Sequence, residues 1–444
     1  MDLRPPPEVR RIARRLEGAG FETWAVGGAV RDALRGEAPE DWDLTTAARP
    51  ADVRRLFKRT VPIGIEHGTV GVLGKDGHLY EVTTFRRDVE TFGRRARVAF
   101  ADSLDEDLER RDFTINAVAW NPLSGELRDP HGGAEDLRRG VLRTVGDPAE
   151  RFAEDRLRVL RALRFAGRFD LEIDEATWRD LVASADRLGN LSAERIREEL
   201  YKVLGGQEPP SRTLRLYERS GVLAALYPEL QACVGCKDAS GRDLWEVQLS
   251  TVDAIPYHRM VLRLAGLLHL VGWPATDDPS EVEQEGVPAY AAVGGTIAWR
   301  LMRRLKASNA DSDRVAHLVA QHAVIPGPDA PDVDVRRWLR RVGLDHYRDV
   351  LRLRRAITIA REGEGSEELL QAARHIRAVV RARPALSVQD LAIGGNELRA
   401  AGIPAGPLYG EILRDLLERV TEEPALNTPE RLIAIVQEWQ QDRE

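Results

Sequence analysis

A chain of 444 residues, 43% hydrophobic and 31% charged, has core enough for two or more well-packed domains, and no apolar run in it approaches the roughly 20 residues a membrane span needs. The N-terminus, Met1 to Glu17, is charged and lacks the apolar middle of a signal peptide, so the expectation is a cytoplasmic protein. A formal net charge of −7 excludes a molecule coated in basic, nucleic-acid-binding surface, while leaving room for local basic tracts.

Pro5-Pro6-Pro7 followed by Val9, Ile12, Ala13 and Leu16 predicts an amphipathic helix over residues 5 to 19, ended by Gly18 to Gly20. The β-type run Thr23 to Val26 then leads into Gly27-Gly28. Adjacent glycines let backbone N–H groups approach a phosphate, and a helix starting at Ala29 points its positive end the same way, with Arg31 in its first turn. Asp41 and Asp43 follow; on an extended strand they project from one face, roughly 6 to 7 Å apart at the backbone. Both can reach a pair of divalent metals about 4 Å apart, the arrangement that activates a hydroxyl and clamps a triphosphate. Alone, each signal also fits an ordinary turn; their short separation is what raises them.

Thr69 to Leu73, the turn Lys75-Asp76-Gly77 and Leu79 to Phe85 predict a β-hairpin. On it Glu81 is either a third acid of the catalytic sheet or an outward, solvated one. Arg86 to Val98 has no period and reads as a mobile charged loop, and Arg110 and Arg111 read as the head of an apolar helix, suited to a phosphate or ribose. Cys233 and Cys236 lack a second C-x-x-C or H-x-x-x-H and read as an incidental pair. The run Arg336, Arg337, Arg340, Arg341, Arg348, Arg352, Arg354, Arg355 fits either a phosphate-tracking face or a solvated helix paired with acidic neighbours.

Five stretches in order carry a more specific signal: G-G-x-V-R-D at Gly27 to Asp32, D-x-D at Asp41 to Asp43, R-R-D-F-T-x-N-A at Arg110 to Ala117, D-P-x-x-G-x-x-D-L at Asp129 to Leu137, and R-F-x-E-D-x-x-R-x-x-R at Arg151 to Arg161. Together they resemble the class II tRNA nucleotidyltransferases, which share their head with bacterial poly(A) polymerases. The resemblance implies an α+β chain: a small nucleotidyltransferase β-sheet head (1–145), a neck with a nucleotide-selecting helix (146–210), a helical body with a degenerate HD-like segment (211–330) and a helical, RNA-binding tail (331–444). It implies template-independent addition of C and A to the 3′ end of tRNA from CTP and ATP, with Mg²⁺ as cofactor and pyrophosphate released. Carried over by position, Gly28 and Arg31 contact the triphosphate, Asp41 and Asp43 bind Mg²⁺, Arg111 contacts the nucleotide, and Asp155, Arg158, Arg161 and Arg164 complete the pocket. The partners implied are the tRNA 3′ end, CTP and ATP, with no membrane and no stable protein partner.

On a continuous helix Asp155, Arg158 and Arg161 form one drifting stripe, with Arg164 on the far side from Asp155. An Asp acceptor beside an Arg donor matches cytosine and adenine, which present an amino donor next to a ring-nitrogen acceptor; uracil and guanine would leave buried groups unsatisfied at roughly 1 to 3 kcal/mol each. The neck motif Leu191 to Leu200 starts at Ser192 as N-cap, has Arg195 where a capping-box acid would sit, and reads as support for the pocket.

In the body, His269-Leu270-Val271-Gly272-Trp273-Pro274 resembles the H-D-x-G-K-P segment of a phosphohydrolase, with Leu270 in place of the metal-binding acid and Val247 and Val293 at the other expected histidine positions, so no phosphohydrolase activity is expected. His317 and His322, five apart, fall about 140° apart on a helix, and Asp313 with His317 reads as a surface contact. Residues 391 to 420 resemble the family segment that meets the outer part of tRNA. Variants within the class are A-only or C-only addition and poly(A) synthesis. A catalytically silent RNA-binding protein is the distant alternative, disfavoured because it would not need both Asp41 and Asp43.

Overall fold

The computed structural model describes residues 3–39, 41–92, 95–279, 281–282, 286–404 and 406–441, and divides into two compact units, Met1–Pro228 and Glu229–Glu444. Parts of the acidic connector expected at Asp277 to Val287 lie outside the described residues. An N-terminal mixed sheet followed by helices makes the chain α+β, as the sequence implies.

Helix α1 (Pro7–Glu17) buries Val9, Ile12, Ala13 and Leu16 completely, the stripe its spacing predicts. Strand β1 (Thr23–Val26) enters Gly27, whose φ of 71° and ψ of −131° turn the chain into α2 (Gly28–Leu34). After β2 (Asp43–Thr46) and α3 (Pro50–Leu56) come β3 (Thr60–Pro62), β4 (Thr69–Leu73) and β5 (Leu79–Thr84), the last two forming the expected hairpin. The residues Arg86–Phe92 (β6) and Arg95–Phe100 (β7) pair as an antiparallel ribbon, which corrects the reading of this stretch as a loop. A two-stranded ribbon satisfies its backbone without burying a face, so it need show no hydrophobic period.

Helix α4 (Leu104–Glu109) precedes Arg110 and Arg111, so these arginines follow a short helix instead of heading an apolar one. The apolar run behind them is buried on every side at Phe113, Ile115 and Ala117 to Trp120, leaving no polar face for an amphipathic helix. It makes a tight 3₁₀ turn at Thr114–Asn116 and then β8 (Ala119–Trp120), which pairs with β1 and with β9 (Leu127–Arg128). The sheet order is β3-β4-β5-β2-β1-β8-β9, with β2 parallel to β5. Its floor packs Leu44, Val70, Val82 and Trp120 against α1, each large apolar side chain contributing about 1.5–3 kcal/mol.

Beyond α5 (Gly133–Arg139), helices α6 (Pro148–Glu154) and α7 (Leu157–Phe169) are interrupted at Asp155, whose φ of −144° and ψ of 104° are extended. The single continuous stripe expected through Asp155, Arg158 and Arg161 is therefore corrected: Asp155 stands in the break and the arginines lie on α7. The cause is local, since the Asp155 carboxylate accepts the Leu157 N–H at 3.0 Å and so competes with the helix for it. Helices α8 (Glu175–Ser184), α9 (Ala193–Leu204) and α10 (Pro210–Arg219) follow; Ser192 holds the N-cap position of α9 without a side-chain capping bond.

The C-terminal unit is helical in its long elements, among them Leu244–Asp253, Ala289–Arg304, Asn309–Gln321, Asp332–Val342, Tyr347–Glu362 and Leu408–Glu422. No helix among the described residues is long and apolar enough to cross a membrane. The arginine run divides between two helices and is mostly spent internally: Arg336 donates to the carbonyls of Thr421 and Glu422 at 2.6 and 3.0 Å, and Arg337 and Arg340 pair with Glu418. Asp313 accepts from Trp299, and His317 bonds the Val342 carbonyl at 2.7 Å, so the acid–histidine contact expected between them is not formed. Cys233 is buried, which pushes its thiol up to about 12, and neither cysteine is in a disulfide.

An added Cβ at Gly27 would lie 3.2 Å from an Nη1 of Arg111, in a backbone conformation that side-chain-bearing residues rarely adopt. Gly27→Ala is expected to cost about 1–3 kcal/mol of stability, measured by urea unfolding.

Candidate nucleotide-binding site

The parallel register that sets Leu44 opposite Val82 also sets Asp43 beside Glu81, on the face away from the sheet floor. Both line a pocket of about 400 Å³. Crowding by the surrounding walls is the first cause, and the Glu81 and Asp41 charges the next, that push the Asp43 carboxyl up to about 6, with Arg111 acting against them. Asp41 and Asp43 are exposed while Trp42 between them is buried, so the pair shares a face as expected, although Asp41 precedes β2. Among the described residues no three acidic, histidine or cysteine side chains converge into a protein-only metal cage. Asp41 and Asp43, with Glu81 adjacent, are nonetheless hard oxygen donors whose crowded charge a divalent cation would offset, the donor set of a metal that shares its coordination with phosphates and water.

Opposite the carboxylates stands a cationic wall with buried counter-charges. Fully buried Asp107 accepts from Arg110 at 3.0 Å and Arg111 at 3.1 Å. Burial opposes its charge, but Arg111 and Arg110 together hold the carboxyl below its ordinary value. Asp112 accepts from Arg161 at 2.7 Å. Arg158 pairs with Glu154 and donates to the carbonyls of Arg151 and Arg110 at 3.1 and 3.4 Å.

Of the residues expected at the site, Asp43, Arg111, Asp155, Arg158 and Arg161 come together around this pocket. Gly28, Arg31, Asp41 and Arg164 are not among its walls. Arg31 is 6% exposed, bonds Asp32 and Asn116 at 2.8 Å each and stacks 4.4 Å from the Phe169 ring centre, which commits its guanidinium to the interior of the head. Arg164 is buried on Glu199 at 2.7 Å and over Phe165, which commits it to the interior.

Sequence reasoning missed Arg195, which reaches from α9 to hold Asp155 at 2.7 Å. The signal was present: an arginine in the first turn of a helix faces the positive end of the helix dipole and needs a compensating anion. Asp112, which stands inside the R-R-D-F-T motif, was given no role, and the pocket-lining Thr45, Thr69 and Thr83 were missed and carry no local pattern.

Residues 23–143 match the family model of the poly A polymerase head domain, residues 170–233 that of the RNA and SrmB-binding site of polymerase A, and residues 292–436 that of tRNA nucleotidyltransferase domain 2. The CCA-adding enzyme of Geobacillus stearothermophilus is 34% identical over 449 residues, covering 100% of this chain and 99% of that one. The chain belongs to the CCA-adding enzyme family of nucleotidyltransferases. A solved structure of the Bacillus stearothermophilus CCA-adding enzyme in complex with CTP matches with a TM-score of 0.72 at 30% identity, over 99% of each chain. The Thermotoga maritima CCA-adding enzyme complexed with tRNA shares the fold, with a TM-score of 0.61 at 21% identity over 98% of this chain and 97% of that one.

A carboxyl whose folded pKa lies above its unfolded value contributes stability at low pH that is lost as pH rises through the folded value, here about 6. Asp43→Asn is therefore expected to match wild type near pH 4 and to exceed it at pH 8 by about 1 kcal/mol, after discounting for a side chain this open to solvent. Thermal melts of both proteins without added metal across that range check it.

Proposed function

We propose that the protein adds C and A to the 3′ end of tRNA from CTP and ATP without a nucleic-acid template, releasing pyrophosphate, with Asp41 and Asp43 holding Mg²⁺. The observation that carries this is one pocket with Asp43 and Glu81 on one wall and Asp155, Arg158 and Arg161 on another. Bound Mg²⁺ supplies neutralisation of the triphosphate and activation of the tRNA 3′-hydroxyl. Arg110 and Arg111, fixed by Asp107, present positive charge to the phosphates. Asp155 is oriented by Arg195, so its carboxylate accepts from the exocyclic amino group of C or A. Arg158 donates to the adjacent ring nitrogen, and Arg161 stands beside it, anchored on Asp112.

In this reading residues 1–145 carry the chemistry, 146–210 choose the nucleotide, and 211–330 and 331–444 engage the RNA, in the cytoplasm. The β6–β7 ribbon occupies the stretch that C-only relatives look to have lost, which disfavours C-only addition and leaves A-only addition open.

Purified protein is expected to extend tRNA lacking all three terminal nucleotides with labelled CTP and then ATP. Extension restricted to tRNA already ending in C-C would assign A-only addition, repeated A addition would assign poly(A) synthesis, and no extension with either nucleotide would overturn the reading. Asp41→Ala and Asp43→Ala should each slow incorporation by about 10² to 10³ or more. Arg195→Met should lower kcat/KM for CTP about tenfold and narrow discrimination against UTP in a competition assay, because Asp155 loses its anchor.

A further inference from the structure

A second cavity, about 220 Å³, lies within the C-terminal unit and has no part in the nucleotide pocket. Its volume is below the roughly 300 to 1,000 Å³ of pockets that enclose drug-sized ligands, so it suits a small ion. Arg354 and Arg361 of the helix Tyr347–Glu362, seven residues and two turns apart, line it from one side. His269, His322, Trp273 and Tyr290 line it from others.

Charge does not balance here. Asp238 lies 3.3 Å from Arg361 and answers its charge, while among the described residues Arg354 has no carboxylate partner. Both histidines are buried, at 0% and 1% exposure, and both are held neutral: burial first, then for His269 its neighbour His322, with Arg354 and Arg361 acting in the same direction on each. A net positive charge in a small cavity excludes a cation and calls for an anion.

The hydrogen-bond inventory narrows the anion further. The Nδ1–H of His269 donates to the Gly266 carbonyl at 2.7 Å, and that of His322 to the Val319 carbonyl at 2.6 Å, so each Nε2 presents a lone pair. Tyr290 donates its hydroxyl to Nε2 of His322 at 3.4 Å, whereas Nε2 of His269 is buried without any partner. A ligand that satisfies this cavity brings negative oxygens for the arginines and one O–H for His269. Sulfate and carboxylates carry no such proton at neutral pH; hydrogen phosphate does.

We propose that this cavity is a binding site for inorganic phosphate, with Arg354 and Arg361 on its oxygens and its remaining proton donated to Nε2 of His269. Calorimetric titration of the full chain with inorganic phosphate should give one saturable site, at least fivefold tighter for phosphate than for sulfate. Arg354→Met should weaken it at least tenfold and Arg111→Met, in the nucleotide pocket, should leave it unchanged. His269→Phe should erase the preference over sulfate. Arg354→Lys, which keeps the charge should the Met variant fail to fold, should bind more weakly than wild type. Glycerol phosphate, whose phosphate group carries no proton at pH 8, should bind more weakly than inorganic phosphate, and binding as tight would overturn the proposal. Absence of saturable binding, equal affinity for sulfate, or binding lost in Arg111→Met and kept in Arg354→Met would overturn the proposal.

Discussion

Asp43 and Glu81 stand side by side on adjacent parallel strands, and like charges so placed oppose the sheet that carries them. The strands cannot slide to relieve it. A shift of one residue would bring Leu44 and Val82, both fully buried, to the solvent side. The apolar floor of the sheet thus enforces the repulsion on its upper face, and the rest of the head is arranged to answer it. Arg111 offsets part of the charge, Asp107 holds Arg111 in place from beneath, and Arg110 shares in keeping Asp107 ionised. On this wall charge alternates from the pocket surface into the core.

The opposite wall is joined to the head by the same side chains that face the pocket. Arg151 donates to the Glu109 carbonyl at 2.8 Å, Arg158 to that of Arg110, and Arg161 to the carboxylate of Asp112. Three head residues, Glu109, Arg110 and Asp112, are therefore tied to α6 and α7 by the arginines of a single motif. The interruption at Asp155 belongs to this arrangement. Its carboxylate bonds the start of α7 at one oxygen and Arg195 of α9 at the other, so two helices fix one acceptor. A carboxylate held at both oxygens loses little further freedom when a base binds, which is the basis of selectivity by preorganisation.

What was legible in the chain follows from the range over which each feature is determined. The α1 stripe, the β4–β5 hairpin, the glycine turn and the shared face of Asp41 and Asp43 are set by neighbours within a few residues, and the structure has them as the spacing predicts. The ribbon β6–β7 was not legible, because a two-stranded ribbon need show no hydrophobic period. The bond of Arg31 to Asn116 spans 85 residues and that of Arg195 to Asp155 spans 40, so neither contact could be read from neighbouring positions. Ordered motifs identified the family where individual residues could not, because they record long-range constraints that local pattern does not contain.

Arginine content alone is a poor guide to where this protein meets anions. Arg336 closes the carbonyl end of the Leu408–Glu422 helix, and Arg337 and Arg340 bind that helix through Glu418, so the densest basic tract serves packing between helices. Many other guanidinium groups also find a carboxylate of the same chain, as Arg128, Arg164 and Arg195 do. The distinguishing property is a local deficit of anion in a concave place. Arg110 and Arg111 share the single carboxylate of Asp107, and Arg354 has none among the described residues. Each lines a cavity, and in each case the missing charge is what a phosphate would bring.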